Sequence, residues 1–239
     1  MKKAITIAIF CLLFGMVFAM ALPKQDAGDK GPLTKVTFIH YKNGDAKPAG
    51  PAKSKPINCY GFLASGAKWK IIEPYFVNPE NSGLDGSFVG SAVNAAVAEW
   101  ETHGGNIFGV GSIDDTAAYN DSLDGKNTAS FGLYSDPNVI AITSVWGYFG
   151  GSPKSRALVE WDMLFNTHFT FGDATPPNSA LMDLQNIATH EMGHSAGMDD
   201  LYNTACYSET MYGYSTEGET SKRDLYTGDI AGIKKLYGS

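Results

Sequence analysis

The sequence predicts an α+β domain, and three observations carry that prediction. Short runs rich in β-branched and aromatic residues, WKIIEPYFVNP (69–79), NVIAITSVW (138–146) and RALVEWDMLF (156–165), end in turn signals and read as strands. Two other stretches, 87–103 and 179–197, carry apolar residues at helical spacing. Strands come first and helices flank them, an order that suits one mixed domain. With 239 residues the chain is long enough for such a domain with a sizeable core and a short extension.

The N-terminus, MKKAITIAIFCLLFGMVFAMALPKQDAG, joins two lysines to an apolar run and the small-residue pattern Ala19-Met20-Ala21. This is the pattern of a secretory signal over 1–21, with cleavage expected after Ala21. The run is long enough that an uncleaved anchor is the alternative. Cys11 lies in mid-run, away from the place of a lipoprotein cysteine, and no second stretch is long enough to span a bilayer.

The formal charge is −7, and losing Lys2 and Lys3 with the signal takes it to −9. An acidic chain argues against nucleic acid as partner. Two cysteines then remain, Cys59 and Cys206. In an exported protein a lone pair is expected to form a disulfide, and closing so long a loop stabilises by about 5 kcal/mol in the chain-entropy picture.

Residues 22–58 are rich in Pro, Gly and Lys, as in KNGDAKPAGPAKSKP, with one strand-like run, VTFIHY at 36–41. They read as a loose extension or linker, with the domain proper over 59–239. From there the strand at 69–79 is followed by the helix at 87–103. Phe88, Ala92, Val93, Ala96, Val97 and Trp100 line its core face, and Gly104-Gly105 stops it. Residues 106–137 are loop-rich. In 156–165, Leu158, Glu160 and Asp162 alternate with Val159, Trp161 and Met163, which suits a strand wet on one side. The stretch 179–197 returns to helical spacing through Leu181, Leu184, Ala188 and Met192. A last helix carries Ile230, Ile233 and Leu236, with Thr227 as the expected cap.

The chemistry concentrates in THEMGHSAGMDD (189–200). Four residues apart on a helix, His190 and His194 share a face and can turn both imidazoles to one ion, with Glu191 beside them placed to reach water. Five histidines in the whole chain make this spacing a poor coincidence. None follows His194, so a third ligand must be another residue type. Gly197 stands where the chain must leave the helix and turn back, a bend that favours glycine. Asp200 lies ten residues after His190, at the place of the third histidine in HExxHxxGxxH, and a carboxylate is a competent zinc ligand. Asp199 is a close rival. Glu209 or Glu217 would resemble the thermolysin-like arrangement, whose third ligand comes from a second long helix, but 201–221 has no helical apolar period.

HEMGHSAGMDDLYNTACYSETMYG resembles the active-site region of snapalysin-type metzincins, whose third zinc ligand is an aspartate at this spacing. Met211 in SETMYG resembles the methionine turn of that group, and DLYTGDIAGIKKLYG is similar to the last helix of matrixins and matrixin-like proteases. The likeness extends over roughly 69–238. It implies a metzincin-type, zincin-like domain: a mixed twisted sheet, an active-site helix, a long backing helix and a C-terminal helix. It also implies a secreted, monomeric zinc endopeptidase acting on proteins or peptides, with His190, His194 and Asp200 as ligands and Glu191 as general base. The peptide is expected to pair with an edge strand at 157–163. The alternatives are a non-catalytic exported zinc-binding or adhesive domain, or a membrane-tethered protease that keeps its signal.

Three departures stand out. An aspartate ligand removes one unit of charge from the site, which weakens zinc as a Lewis acid. Where astacins and serralysins have a tyrosine two residues after the turn methionine, this chain has Gly213, leaving Tyr202, Tyr212 and Tyr214 as candidate oxyanion or supporting groups. No PRCGxPD segment is present, so a thiol latch would fall to Cys59, and only if that cysteine is unpaired. The cluster Asp114, Asp115, Asp121 and Asp124 is open as a structural calcium site. NDSLDGKN (120–127) fails as an EF-hand, since Phe131 stands where the bidentate glutamate belongs, and reads better as a DG turn. His40, His103 and His168 lack partners at ligand spacing and read as surface or core residues.

Overall fold

The computed structural model describes residues 30–42 and 58–238. The signal-like segment and most of the expected linker lie outside them. Among the described residues, nine strands and three α-helices follow in the order β1 (Leu33–Lys42), β2 (Tyr75–Val77), α1 (Gly86–Gly104), β3 (Gly111–Ile113), β4 (Asn127–Gly132), β5 (Val139–Tyr148), β6 (Ala157–Asn166), β7 (Phe171–Gly172), β8 (Met182–Asp183), α2 (Leu184–Ser195), β9 (Tyr214–Ser215) and α3 (Thr227–Tyr237). This is the expected α+β class. Seven strands form one mixed sheet in the order β3-β2-β4-β6-β5-β1-β9, and β7 pairs with β8 apart from it.

Helix α1 begins at Asp85, whose carboxylate accepts the amides of Ser87 and Phe88, and ends at Gly105 with φ +78°. Its apolar stripe, Val89, Val93, Ala96 and Trp100, is buried between the sheet and α2. Burying each larger side chain contributes about 1.5–3 kcal/mol. Helix α3 starts one residue earlier than Thr227 suggested. Tyr226 is its cap, and the Asp229 carboxylate accepts the Tyr226 amide at 3.2 Å.

Three expectations change. The run 69–79 supplies only a three-residue strand, because Ile71 and Ile72 stay exposed while the Trp69 indole turns inward to donate to the Ser195 carbonyl at 2.8 Å. The stretch 36–41 is no loose extension. As β1 it lengthens to ten residues and lies antiparallel to β5 and parallel to β9, so the sheet extends beyond the expected boundary at 59. Strand β6 is neither an edge nor wet on one side. It is paired by β4 and β5, and Glu160 and Asp162 are buried as acceptors for loop amides of Asp124, Gly125 and Asn120. The alternation that looked like a solvent face is a polar layer packed under the 120–125 loop.

Candidate metal centre

Helix α2 is held at both ends, and that fixes the histidines. At its start Asp183 accepts the Asn186 amide at 2.9 Å and is clamped by the Arg223 guanidinium. At its end the Met198 amide donates to the Gly193 carbonyl at 2.9 Å and the Gly197 amide to that of His194 at 2.8 Å. This pair of bonds is a Schellman closure, and it needs a left-handed residue. Gly197 supplies it at φ +100°, where a Cβ would also meet the Ala67 carbonyl at 2.8 Å. The chain then turns so that Asp200 faces the helix it has just left.

His190 Nδ1 lies 2.7 Å from the Thr210 carbonyl, and His194 Nδ1 lies 3.1 Å from that of Met198. Donating Nδ1–H to a carbonyl leaves Nε2 as the lone-pair nitrogen, the arrangement typical of metal-ligating histidines. The two Nε2 atoms are 3.2 Å apart, and Asp200 Oδ1 is 3.3 Å and 3.4 Å from them. A tetrahedral zinc with bonds of about 2.0–2.1 Å has ligand-to-ligand edges of about 3.3 Å. The triangle therefore has the dimensions of one zinc face. Asp200 Oδ1 is buried and has no hydrogen-bond partner among the described residues, as an atom reserved for a cation would be.

The electrostatics agree. Burial opposes charge on Asp200, yet the imidazoles of His194 and His190 outweigh it and hold the carboxyl well below the usual range. Burial also works to lower His194, but the Asp200 carboxylate overrides it and raises that imidazole. His190, lowered first by burial and then by His40, falls to about 4, which keeps its nitrogen available as a donor. Glu191 is pushed up by burial against the opposing pull of His190 and His194.

Met211 sits at the third position of a tight turn closed by the Tyr212 amide on the Glu209 carbonyl at 3.0 Å, beneath α2. The rival ligands are engaged elsewhere. Asp199 accepts the Asp200 amide and packs on Gly61, Glu209 accepts the amides of Gly228 and Asp229, and Glu217 pairs with Lys42 at 2.8 Å. Tyr202 donates to Asp200 Oδ2 at 2.9 Å and fills the space beside Gly213, where a Cβ would meet its ring at 2.6 Å. Tyr212 and Tyr214 pack edge to face, with ring centroids 5.5 Å apart.

Other expectations sort in the same way. Cys59 and Cys206 form the disulfide, so no thiol is left there for a latch. Nothing among the described residues supports the calcium reading: Asp114 binds Thr116, Asp121 pairs with Lys35, and Asp124 caps the turn at Lys126. Among the described residues, only two groups of side chains are close enough to share an ion, and neither includes these aspartates.

One of the two groups is His190, His194 and Asp200. The family model for matrixin matches residues 75–238, most of the chain and all of that triad.

The chain belongs to the matrixin family.

It is 27% identical over 180 residues to the hatching enzyme of Paracentrotus lividus, covering 74% of this chain and 28% of that protein. It is 38% identical over 66 residues to metalloendoproteinase 1-MMP of Arabidopsis thaliana, covering 28% of this chain and 17% of that one. The chain thus spans less than a third of the length of either relative. Matrixins are a family of zinc-dependent metalloproteases.

In this matrixin the second group of side chains is one that sequence reading missed. His40 of β1, read as a surface or core residue, lies with His190 and Glu191. Its Nδ1 is 3.0 Å from Glu191 Oε1, and the Thr143 hydroxyl of β5 donates to Glu191 Oε2 at 2.6 Å. Alternation in VTFIHY put His40 in phase with Val36 and Phe38, but nothing in the sequence said what that face would meet. Asp229 was also missed. From α3 its carboxylate accepts the Thr210 and Met211 amides and so fixes the methionine turn.

Proposed function

We propose that this matrixin is a secreted zinc endopeptidase in which His190, His194 and Asp200 hold the ion and Glu191 is the general base. The observation that carries the reading is the 3.2–3.4 Å triangle of donor atoms with a carboxylate on the neighbouring residue. Zinc, when bound, supplies a Lewis acid that polarises a carbonyl and makes water easier to deprotonate. Glu191 removes a proton from the water that adds to the scissile carbonyl carbon. It returns that proton to the departing amine as the C–N bond breaks. A carboxyl raised by burial suits this double duty, since it takes up a proton more readily than an exposed carboxylate and can still give it up to the amine.

Support for export comes from the signal-like N-terminus together with a disulfide, a bond that persists in oxidising compartments. Among the described residues no helix is long and apolar enough to cross a membrane. The reading is tested by Glu191→Gln, assayed on casein with and without chelator, before and after limited proteolysis of the N-terminal segment. The variant keeps its zinc and loses cleavage. A Glu191→Gln chain that still digests casein rules out this mechanism.

A further inference from the structure

The cations of this acidic chain are not spread evenly. Twelve lysines and arginines fall within the described residues. Five of them pair with carboxylates: Lys35 with Asp121, Lys42 with Glu217, Lys126 with Asp114, Lys222 with Glu219, and Arg223 with Asp173 and Asp183. The other seven have no carboxylate partner among the described residues, and they gather in one place.

That place is the end of the sheet where β1 begins, β5 ends and β6 begins. Lys30 lies over the Tyr148 ring, 5.6 Å from its centroid, and Gly31 packs on Gly150. Arg156 donates to the carbonyls of Ser65 and Gly151 at 2.9 and 3.2 Å, two residues after the exposed Lys154. Lys68 is bridged to Ala157, donates to the Leu236 carbonyl at 3.0 Å and lies over the Tyr237 ring. In the last turn of α3, exposed Lys234 precedes Lys235, whose ammonium donates to the Tyr60 hydroxyl at 3.2 Å. Lys68 and Lys70 flank the inward Trp69, so alternation turns both outward. The Lys70 ammonium is lowered first by partial burial and then by the charges of Lys68 and Lys30, which puts the three within electrostatic reach. The stretches 58–72, 146–159 and 230–238, which build most of this face, contain no aspartate or glutamate.

The face is not only basic. Directly after Lys70, Ile71 and Ile72 are 69% and 49% exposed, and they join no strand, since β2 starts at Tyr75. A nucleic acid or an acidic polysaccharide would use the charges and leave the isoleucines wet. A lipid surface uses both, because headgroup phosphates take the cations while aliphatic side chains enter the acyl boundary.

We propose that this face docks the domain onto an anionic lipid bilayer, with its lysines and Arg156 against the headgroups and Ile71 and Ile72 inserted between them. The tyrosine rings under Lys30, Lys68 and Lys235 hold those ammonium groups in place before contact, which lowers the ordering cost of docking. None of the docking residues belongs to the group gathered at the metal, so the proposal does not rest on the catalytic reading.

The test uses the chain from Leu22 onward, the form that export leaves and one that keeps every described residue. Co-sedimentation measures its partition onto vesicles of phosphatidylcholine alone and onto vesicles of phosphatidylcholine and phosphatidylglycerol in equal parts. Binding to the mixed vesicles is expected to be at least about a hundredfold tighter, since each cation near an anionic surface strengthens it about fivefold. Lys70→Gln/Lys154→Gln weakens that binding at least about tenfold by the same reckoning. Ile71→Ser/Ile72→Ser also weakens it at least about tenfold, through the apolar surface no longer buried. Both variants keep the zinc affinity and urea midpoint of the wild type. Equal binding to the two kinds of vesicle, or none to either, overturns the proposal. So does binding that survives either variant unweakened, and survival in the isoleucine variant alone would describe a site for soluble polyanions. Should the isoleucine variant unfold, Ile71→Trp in the otherwise unchanged chain decides. Brominated phosphatidylcholine in the mixed vesicles is expected to quench its fluorescence more than that of the wild type, and equal quenching overturns the proposal.

Discussion

Gly193 lies so close over Met211 that a Cβ added to it would come within 2.2 Å of the methionine sulfur and 2.6 Å of the Trp100 ring. The helix that carries both histidines can rest on the methionine turn only because this residue has no side chain. Met211 alone could swing aside, but Trp100 is fully buried and its indole donates to the Thr189 carbonyl at 2.7 Å.

Gly193→Ala therefore sets two effects against each other. Alanine favours the helix by up to about 1 kcal/mol, while overpacking costs about 1–3 kcal/mol. A net loss of stability is expected in urea titration. Zinc affinity should fall with it, because the displaced turn carries the Thr210 carbonyl that orients His190. A variant with unchanged midpoint and unchanged zinc affinity would show that the close contact is not felt.

Tyr202→Phe separates two roles for a tyrosine near the metal. Phenylalanine keeps the ring against Gly213 and removes only the hydroxyl that donates to Asp200 Oδ2. If Tyr202 braces the ligand, zinc affinity falls about 10–100-fold, the usual effect of losing a partner behind a ligand. A drop in kcat with zinc affinity intact would assign the hydroxyl to the reaction instead. Competition with a chelator of known affinity, run beside peptide kinetics, reads both.

These two residues illustrate what was legible in the chain and what was not. His190, Glu191, His194, Gly197 and Asp200 fall within eleven consecutive positions, so one helical turn and its exit bend fix their arrangement, and spacing pointed to it while leaving Asp199 as a rival of Asp200. The Cys59–Cys206 pair was legible because no other cysteines remain once Cys11, in the expected signal over 1–21, is set aside. His40 and Thr143 reach Glu191 from strands about 150 and 50 positions earlier. Their meeting is set by sheet order and register, which local periodicity does not encode. The same gap explains β6. Its alternation was read as a solvent face, and only the order of the sheet shows that it lies between β4 and β5, with its polar side roofed by a loop.

The disulfide joins residues 147 positions apart, tying the start of the β2-to-α3 region to the segment leading into the methionine turn. Cys59→Ser/Cys206→Ser is expected to lower stability by about 2–5 kcal/mol, as removing a native bridge over a long loop does. Urea unfolding of the variant against the oxidised wild type measures it. Because Cys206 is buried just before Glu209, which holds the amides of Gly228 and Asp229, fraying should show first as loss of protection at those amides. Uniform loss of protection across the sheet would instead mean that the bridge stabilises the whole domain evenly.

Asp162 makes the stability of the fold depend on pH. Burial raises its carboxyl to about 8, against the help of the Asn120 amide, and the neighbouring Glu160 and Asp124 add to the rise. In the unfolded chain the same group titrates near its ordinary value of about 3.9. Between those two pH values the folded chain holds a proton that the unfolded chain has lost. Stability is therefore greatest at the acid end of that window and declines as pH rises through it, by up to about 1.36 kcal/mol per unit, levelling above about 8. Asp162→Asn keeps the shape and an oxygen for the Asn120 amide, 3.1 Å away in the wild type, but cannot ionise. The variant should match or fall below the wild type at pH 5 and exceed it at pH 8.5 in urea midpoint. A difference between the two proteins that is the same at both pH values would mean that the buried carboxyl does not titrate in this window.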